Sequence, residues 1–289
     1  MRSISRARII GSVAVAGVAL AAFFGGQATQ RGAASSARTA TATPGPSRVP
    51  RVNVYGDSLT VQADPYLHAI AKVYGFTVTV RAFSGTAPCD FVPTLQSDLR
   101  TRRPDLVLFA FSGNSIATCM LDDSGSPLTG GAVLAKYGTD TDAAIGLAAA
   151  AHASFVLASP PAPYLKAATW KQFDDLYRSI AASHPGVQYL DAGQDIAPGG
   201  QFNATQQCMP FEVNLPQAKG TCLGPDAKIA VRGPDGAHFC GNATLATAVP
   251  CSSYSSGAMR YAINLADAAR LTLDYREHAA PPHAPPTSP

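Results

Sequence analysis

The chain has 289 residues, 46% of them hydrophobic and 14% charged. This composition excludes an intrinsically disordered protein and supplies enough apolar side chain for a sizeable core. The formal net charge of +3 is unevenly placed: seven of the 22 Lys and Arg residues lie in the first 51 positions, where there is no Asp or Glu, so fifteen bases face nineteen acids in the remainder, which is net −4. A mildly acidic body lacks the electrostatic footprint of a nucleic-acid-binding protein.

Arg2, Arg6 and Arg8 precede an uncharged apolar run from Ile9 to Phe24, followed by small residues. Residues 1–28 therefore read as an export signal, with cleavage expected after Ala28. The rival reading is an uncleaved signal anchor, although the run falls short of the ~20 apolar residues a membrane span needs. Residues 29–50 are rich in Ala, Ser, Thr and Pro without apolar periodicity and read as a disordered linker; residues 279–289 read as a disordered Pro-rich tail. The body is expected over 51–278, outside the cytoplasm.

Within it, short β-branched runs alternate with longer helical stretches. "RVNVY" (51–55) predicts a strand ending in the turn-like Gly56-Asp57-Ser58, with Gly56 supplying a positive φ, and then a helix interrupted by Pro65 that runs to about Val73. "FTVTVRAF" (76–83) predicts a second strand, and the next helix is expected to take Asp90 as its N-cap. "DLVLFAF" (105–111) reads as a buried parallel strand, with a Gly/Ser-rich loop over 112–130. A helix from about 132, a strand at 154–161, a helix at 168–184 and a strand at 187–192 come next, then a long irregular stretch and a closing helix over 253–278. Repeated β–α units imply a parallel sheet with helices on both faces, whose sites form beyond the carboxyl ends of the strands. Ser58, Gly85 and Asn114 all fall at that edge.

Six cysteines in an exported chain imply disulfides, with 15 pairings open. Proximity along the chain favours Cys208–Cys222 and Cys240–Cys251, leaving Cys89–Cys119. No C-x-x-C or His pair has ligand spacing, so no metal is expected. In "VRGPDGAHFCG", Asp235 and His238 are three apart across a Pro/Gly turn, a spacing that brings a carboxylate beside an imidazole. A serine hydroxyl attacks only when a base removes its proton, and the base needs a third group to fix its tautomer. Ser58, His238 and Asp235 can fill those roles, and Gly85 and Asn114 offer N–H donors for a developing oxyanion. Each alone is also an ordinary turn or cap residue; it is their order and shared edge that carry weight. Trp170, Phe173 and Tyr177, at helical spacing, read as a packing stripe. Arg232 reads as structural or solvated, with an anionic substrate group as the alternative.

Gly56-Asp57-Ser58-Leu59, Gly85, Asn114 and Asp235-x-x-His238, in this order over roughly 51–278, resemble the SGNH hydrolase (GDSL esterase/lipase) superfamily. The resemblance implies a flavodoxin-like three-layer α/β/α sandwich around a central parallel sheet. It also implies Ser58 as nucleophile, His238 as base, Asp235 as its partner, and an oxyanion hole of the Ser58 and Gly85 N–H groups with the Asn114 side chain. Asp57 belongs to the motif without being the triad acid, and no cofactor is required. The third block reads Ser112-Gly113-Asn114-Ser115 where the family commonly has Gly-x-Asn-Asp. The G-x-S-x-G elbow of α/β-hydrolases is absent, because Thr60 stands at its last position.

The reading that follows is a secreted, monomeric serine esterase acting on an O-acyl, short-chain or acetyl, ester of a small molecule, carbohydrate or lipid. "GDSLTVQADPYL" and "SGTAPCDF" are also similar to extracytoplasmic SGNH domains that accompany membrane acyltransferases. That opens an alternative, an O-acyltransferase or deacetylase acting on cell-envelope glycans or glycolipids beside a membrane acyltransferase partner. From another class, a catalytically inactive envelope-binding module would keep the fold without the chemistry.

Overall fold

Strand β1 (Arg51–Gly56) is buried at every position after Arg51, and its alternation divides the core in two. Val52 and Val54 point to one face of the sheet, Asn53 and Tyr55 to the other. The same division runs through β3 (Leu106–Ala110) and β4 (Ser154–Ser159), the fully covered central strands, while β2 (Thr77–Ala82) and β5 (Val187–Asp191) are partly buried edges. All pairings are parallel, in the order β2-β1-β3-β4-β5. One row of partners crosses the whole sheet: Val80, Val54, Leu108, Val156 and Gln188. This computed structural model describes residues 48–164, 167–213, 215–218, 221–224, 226–240 and 249–279; the expected export segment, nearly all of the linker and the tail beyond 279 lie outside the described residues.

Helices α1 (Ser58–Tyr74) and α5 (Ser256–Ala279) cover one face, packing Leu67, Tyr261 and Leu265 onto Val54, Leu108 and Val156. Helices α2 (Pro88–Thr101), α3 (Gly131–Ala150) and α4 (Ala167–Ser183) cover the other. There Phe109 lies 5.4 Å from Phe111, 5.5 Å from Tyr55 and 5.0 Å from Phe155, ring to ring. Truncating such a ring costs about 3–5 kcal/mol. The result is the three-layer α/β/α sandwich expected, in the flavodoxin-like strand order. Phe173 and Tyr177 are buried in this second layer as packing residues, whereas Trp170, the third aromatic of that stripe, is only partly buried and donates its indole N–H to the Pro160 carbonyl.

Several local expectations are corrected. Pro65 does not interrupt α1: it occupies an exposed position inside the continuous helix. The N-cap of α2 is Ala87, not Asp90. Pro88 opens the helix, and the Asp90 carboxylate reaches back to accept the Ala87 N–H at 2.9 Å, the second half of a capping box. The irregular stretch before α5 holds a small antiparallel pair, β6 (Thr205–Gln207) with β7 (Lys228–Ala230), too short for periodicity to reveal. That segment is tied to α5 by a buried ion pair. Glu212 accepts from Arg260 at 2.5 Å, from the Met209 N–H at 2.8 Å, and from the Ser256 and Tyr254 hydroxyls. The disulfides are Cys89–Cys119, Cys208–Cys222 and Cys240–Cys251. Among the described residues, no helix is long and apolar enough to cross a membrane.

Candidate active site

The chain leaves β1 for β2 on one side of the sheet and then returns to β3 on the other. The carboxyl ends of β1 and β3 therefore flank the point where a doubly wound sheet opens a crevice. Gly56, the last residue of β1, is required there for room and not for a positive φ, which it does not have. A Cβ at Gly56 would stand 2.1 Å from Thr60 Oγ1 and 2.8 Å from the Ala110 carbonyl oxygen, so only glycine lets the first turn of α1 close onto the end of β3. Asp57 is extended and caps α1, its Oδ1 accepting the Leu59 N–H at 3.1 Å. Ser58 is the first helical residue. Its N–H has no intrahelical acceptor, and it lies at the positive end of the helix dipole.

Asp57 has a second task that the sequence did not disclose. Its Oδ2 accepts the Ser112 N–H at 2.6 Å, the Ser112 hydroxyl at 2.6 Å and the Asn114 Nδ2–H at 3.0 Å. One fully buried carboxylate thus joins the nucleophile candidate's helix to the loop after β3. Burial pushes its pKa up, against the opposing hydrogen bonds from Ser112 and Leu59. Asn114 also donates to the Thr86 carbonyl at 3.2 Å, and its own carbonyl accepts the Tyr137 hydroxyl at 2.9 Å. Next to Thr86, Gly85 adopts φ +74°, in the left-handed region, and a Cβ there would meet Ile116 Cδ1 at 2.8 Å. The Cys89–Cys119 disulfide clamps these same two loops together.

The third segment, 231–240, arrives from far along the chain. Asp235 Oδ1 accepts the N–H groups of Ala237 at 3.0 Å and His238 at 2.9 Å, folding the Pro/Gly turn around its own carboxylate. The Gly233 N–H closes the turn on the His238 carbonyl at 2.7 Å. Asp235 Oδ2 then lies 2.6 Å from His238 Nδ1, and His238 Nε2 lies 3.0 Å from Ser58 Oγ. A carboxylate only accepts, so Nδ1 carries the imidazole proton and Nε2 presents its lone pair to the serine hydroxyl. Partial burial raises the pKa of Asp235, but the hydrogen bonds from the His238 ring and from the His238 and Ala237 N–H groups outweigh it and hold the carboxyl below its ordinary value.

Arg232 is buried beneath this turn, within electrostatic reach of the Asp235 carboxylate. It donates to the carbonyls of Ala237 at 2.5 Å and of Pro161 and Ala162 at 2.8 Å each, fastening the turn to the segment after β4. Burial lowers its pKa to about 10, still leaving it charged at neutral pH. A cavity of about 740 Å³ lies beside the turn, lined by Tyr164, Phe202, Phe239 and Tyr254 among others; Ser58, His238, Gly85 and Asn114 do not line it.

All five residues singled out in the sequence thus meet at one edge of the sheet. Their order along the chain was visible beforehand, but the bridging by Asp57 and Ser112 was not. No known family description matches the chain, and no curated protein does. Among solved structures, the chain is similar to a lipase/acylhydrolase from Enterococcus faecalis at 12% identity, covering 82% of this chain and 100% of that one with a TM-score of 0.46. It is also similar to a GDSL-like lipase from Bacteroides thetaiotaomicron at 15% identity, over 77% and 88% of the two chains with a TM-score of 0.46. A third likeness, to an acetylxylan esterase from Geobacillus stearothermophilus in a catalytic-mutant form, has 14% identity over 50% and 77% with a TM-score of 0.39.

Proposed function

We propose that this chain is a serine ester hydrolase of the SGNH type, acting outside the cytoplasm on short O-acyl esters through an acyl-Ser58 intermediate. The observation that carries the reading is the unbroken line Asp235 Oδ2, His238, Ser58 Oγ, with separations of 2.6 and 3.0 Å. The export-like N-terminus and the three disulfides support the location, since disulfides persist in oxidising compartments.

In the mechanism, Ser58 Oγ attacks the ester carbonyl carbon while His238 Nε2 takes the hydroxyl proton. Asp235 stabilises the imidazolium that forms. The carbonyl π pair moves onto the oxygen, and the oxyanion is received by the N–H groups of Ser58 and Gly85 and by the Asn114 amide. Asn114 releases its 3.2 Å bond to the Thr86 carbonyl to do so and keeps the shorter one to Asp57, which holds the amide in place. Collapse expels the alcohol, protonated by His238. Water, deprotonated by the same imidazole, then hydrolyses the acyl-Ser58.

The test is mass spectrometry of the full chain after incubation with a serine-reactive phosphonate, alongside turnover of a short-chain nitrophenyl ester, with Ser58→Ala as control. A phosphonyl adduct on Ser58 and turnover that Ser58→Ala abolishes are expected. Neither adduct nor turnover, in protein shown to be folded and oxidised, would overturn the reading in favour of a binding module.

A further inference from the structure

Gln62 lies four residues after Ser58, one turn along α1, and is fully buried. Its Oε1 accepts the backbone N–H of Phe239, the residue after His238, at 2.7 Å. Its Nε2 is also buried and has no hydrogen-bond partner among the described residues. An unpaired buried amide donor destabilises the fold. Neighbouring positions of the same helix, Leu59, Ala63 and Leu67, fill the core with apolar side chains and carry no such cost. A residue whose only task was packing would have no need of an amide here.

What the amide does is reach across 177 residues of chain to the turn that carries the base. Phe239 is held on several sides, with the Arg232 guanidinium 5.5 Å from its ring centroid. Gln62 takes its N–H, the Ser255 hydroxyl donates to its carbonyl at 3.0 Å, and its ring packs against Tyr261 at 5.3 Å between centroids. The Asp235 carboxylate shapes the turn internally and Arg232 fastens it to the segment after β4, whereas the Gln62 bond ties it to the helix that carries Ser58. We propose that Gln62 is a positioning residue: by fixing the Phe239 N–H to α1, it holds His238 Nε2 within hydrogen-bonding distance of Ser58 Oγ. Its kinetic expression rests on the hydrolase reading above. The leverage is large, because misplacing a catalytic group by about 1 Å costs on the order of 100-fold in rate.

Three variants of the full chain test this. Gln62→Glu presents an accepting carboxyl oxygen at the same reach in either protonation state, whereas Gln62→Met and Gln62→Leu fill the space without an acceptor. Turnover is measured per phosphonate-titrated Ser58, so that misfolded protein does not count. The expected result is a kcat lowered about 10–100-fold in the Met and Leu variants with KM changed less than about threefold, and Gln62→Glu within about threefold of the parent. A kcat per titrated site within twofold of the parent in a folded Met or Leu variant would overturn the proposal, leaving Gln62 a merely structural residue.

The downfield proton resonance of the His238 Nδ1–H gives a reading that does not depend on activity. It should be sharp in the parent and in Gln62→Glu, and broadened by exchange in Gln62→Met and Gln62→Leu. Should the parent neither label nor turn over, the hydrolase reading falls while this resonance still decides the positioning: an equally sharp signal in the acceptor-free variants overturns it.

Discussion

Asp235→Asn is the substitution whose consequences the site geometry defines most sharply. In the parent, Oδ1 accepts two backbone N–H groups and Oδ2 accepts the imidazole Nδ1–H. An asparagine keeps its carbonyl on the two N–H groups, because turning it round would set an NH₂ against both of them. The NH₂ then faces Nδ1, which can meet it only as an acceptor. The imidazole proton moves to Nε2 and points at Ser58 Oγ, so Nε2 no longer offers the lone pair that the proposed base needs. In a Ser-His-Asp protease, the same change lowers kcat by about 10⁴. Here the Asp235 side chain is 39% exposed. Water therefore reaches the pair, and we expect about 10³, or ~4 kcal/mol in the barrier, with KM little changed. The turn itself is retained, so the unfolding free energy should fall by no more than about 1 kcal/mol.

The pH dependence has a definite sign. Because the folded pKa of Asp235 lies below its ordinary value, its contribution to stability is present above the unfolded pKa and is lost as pH falls through the folded one; Asp235→Asn should lack that part of the acid limb. Turnover per titrated site and urea unfolding, compared across pH, check both statements. An Asp235→Asn protein retaining more than a tenth of the parental kcat would refute the tautomer argument.

Asn114→Ala removes the proposed side-chain oxyanion donor together with a bond to Asp57, and should lower kcat about 10²–10³-fold in ester turnover while Ser58 still accepts phosphonate slowly. Glu212→Gln leaves Arg260 buried without its counter-ion. Denaturant unfolding at neutral pH should show a loss of about 3–5 kcal/mol. Burial alone would raise the Glu212 pKa, but hydrogen bonds from Arg260, Ser256 and Met209 hold it down; the parent should therefore lose this stability as pH falls below about 4.5, and the variant should show a flatter acid limb. Replacing Cys89 and Cys119 together by serine opens a loop with a sequence separation of 30 and should cost about 3–4 kcal/mol in unfolding free energy. It should also slow turnover at saturating ester, since the loops carrying Gly85 and Asn114 lose their clamp.

Much of the molecule is legible in the sequence because it is governed by local rules. The β-branched runs at 51–55, 105–111 and 154–161 have the length and density of buried parallel strands, and the structure has strands there. The contact of Asp235 with His238 follows from a three-residue spacing across a Pro/Gly turn. Local rules also mislead where two residues compete for one role. Asp90 looks like a cap but serves the capping box from inside the helix, and Gly56 looks like a φ-driven turn but answers a steric demand set by Ala110 on another strand.

What tertiary structure alone decided are the contacts between segments distant in the chain. The pairing of Ser58 with His238 spans 180 residues, the Gln62–Phe239 bond 177, and the bonds from Asp57 to Ser112 and Asn114 span 55 and 57. No periodicity or spacing encodes such distances. They come into being only when the β1–β3 pairing and the packing of α1 against α5 bring the three loops to one edge of the sheet, where a buried carboxylate and a buried amide find the donors they lack in their own segments.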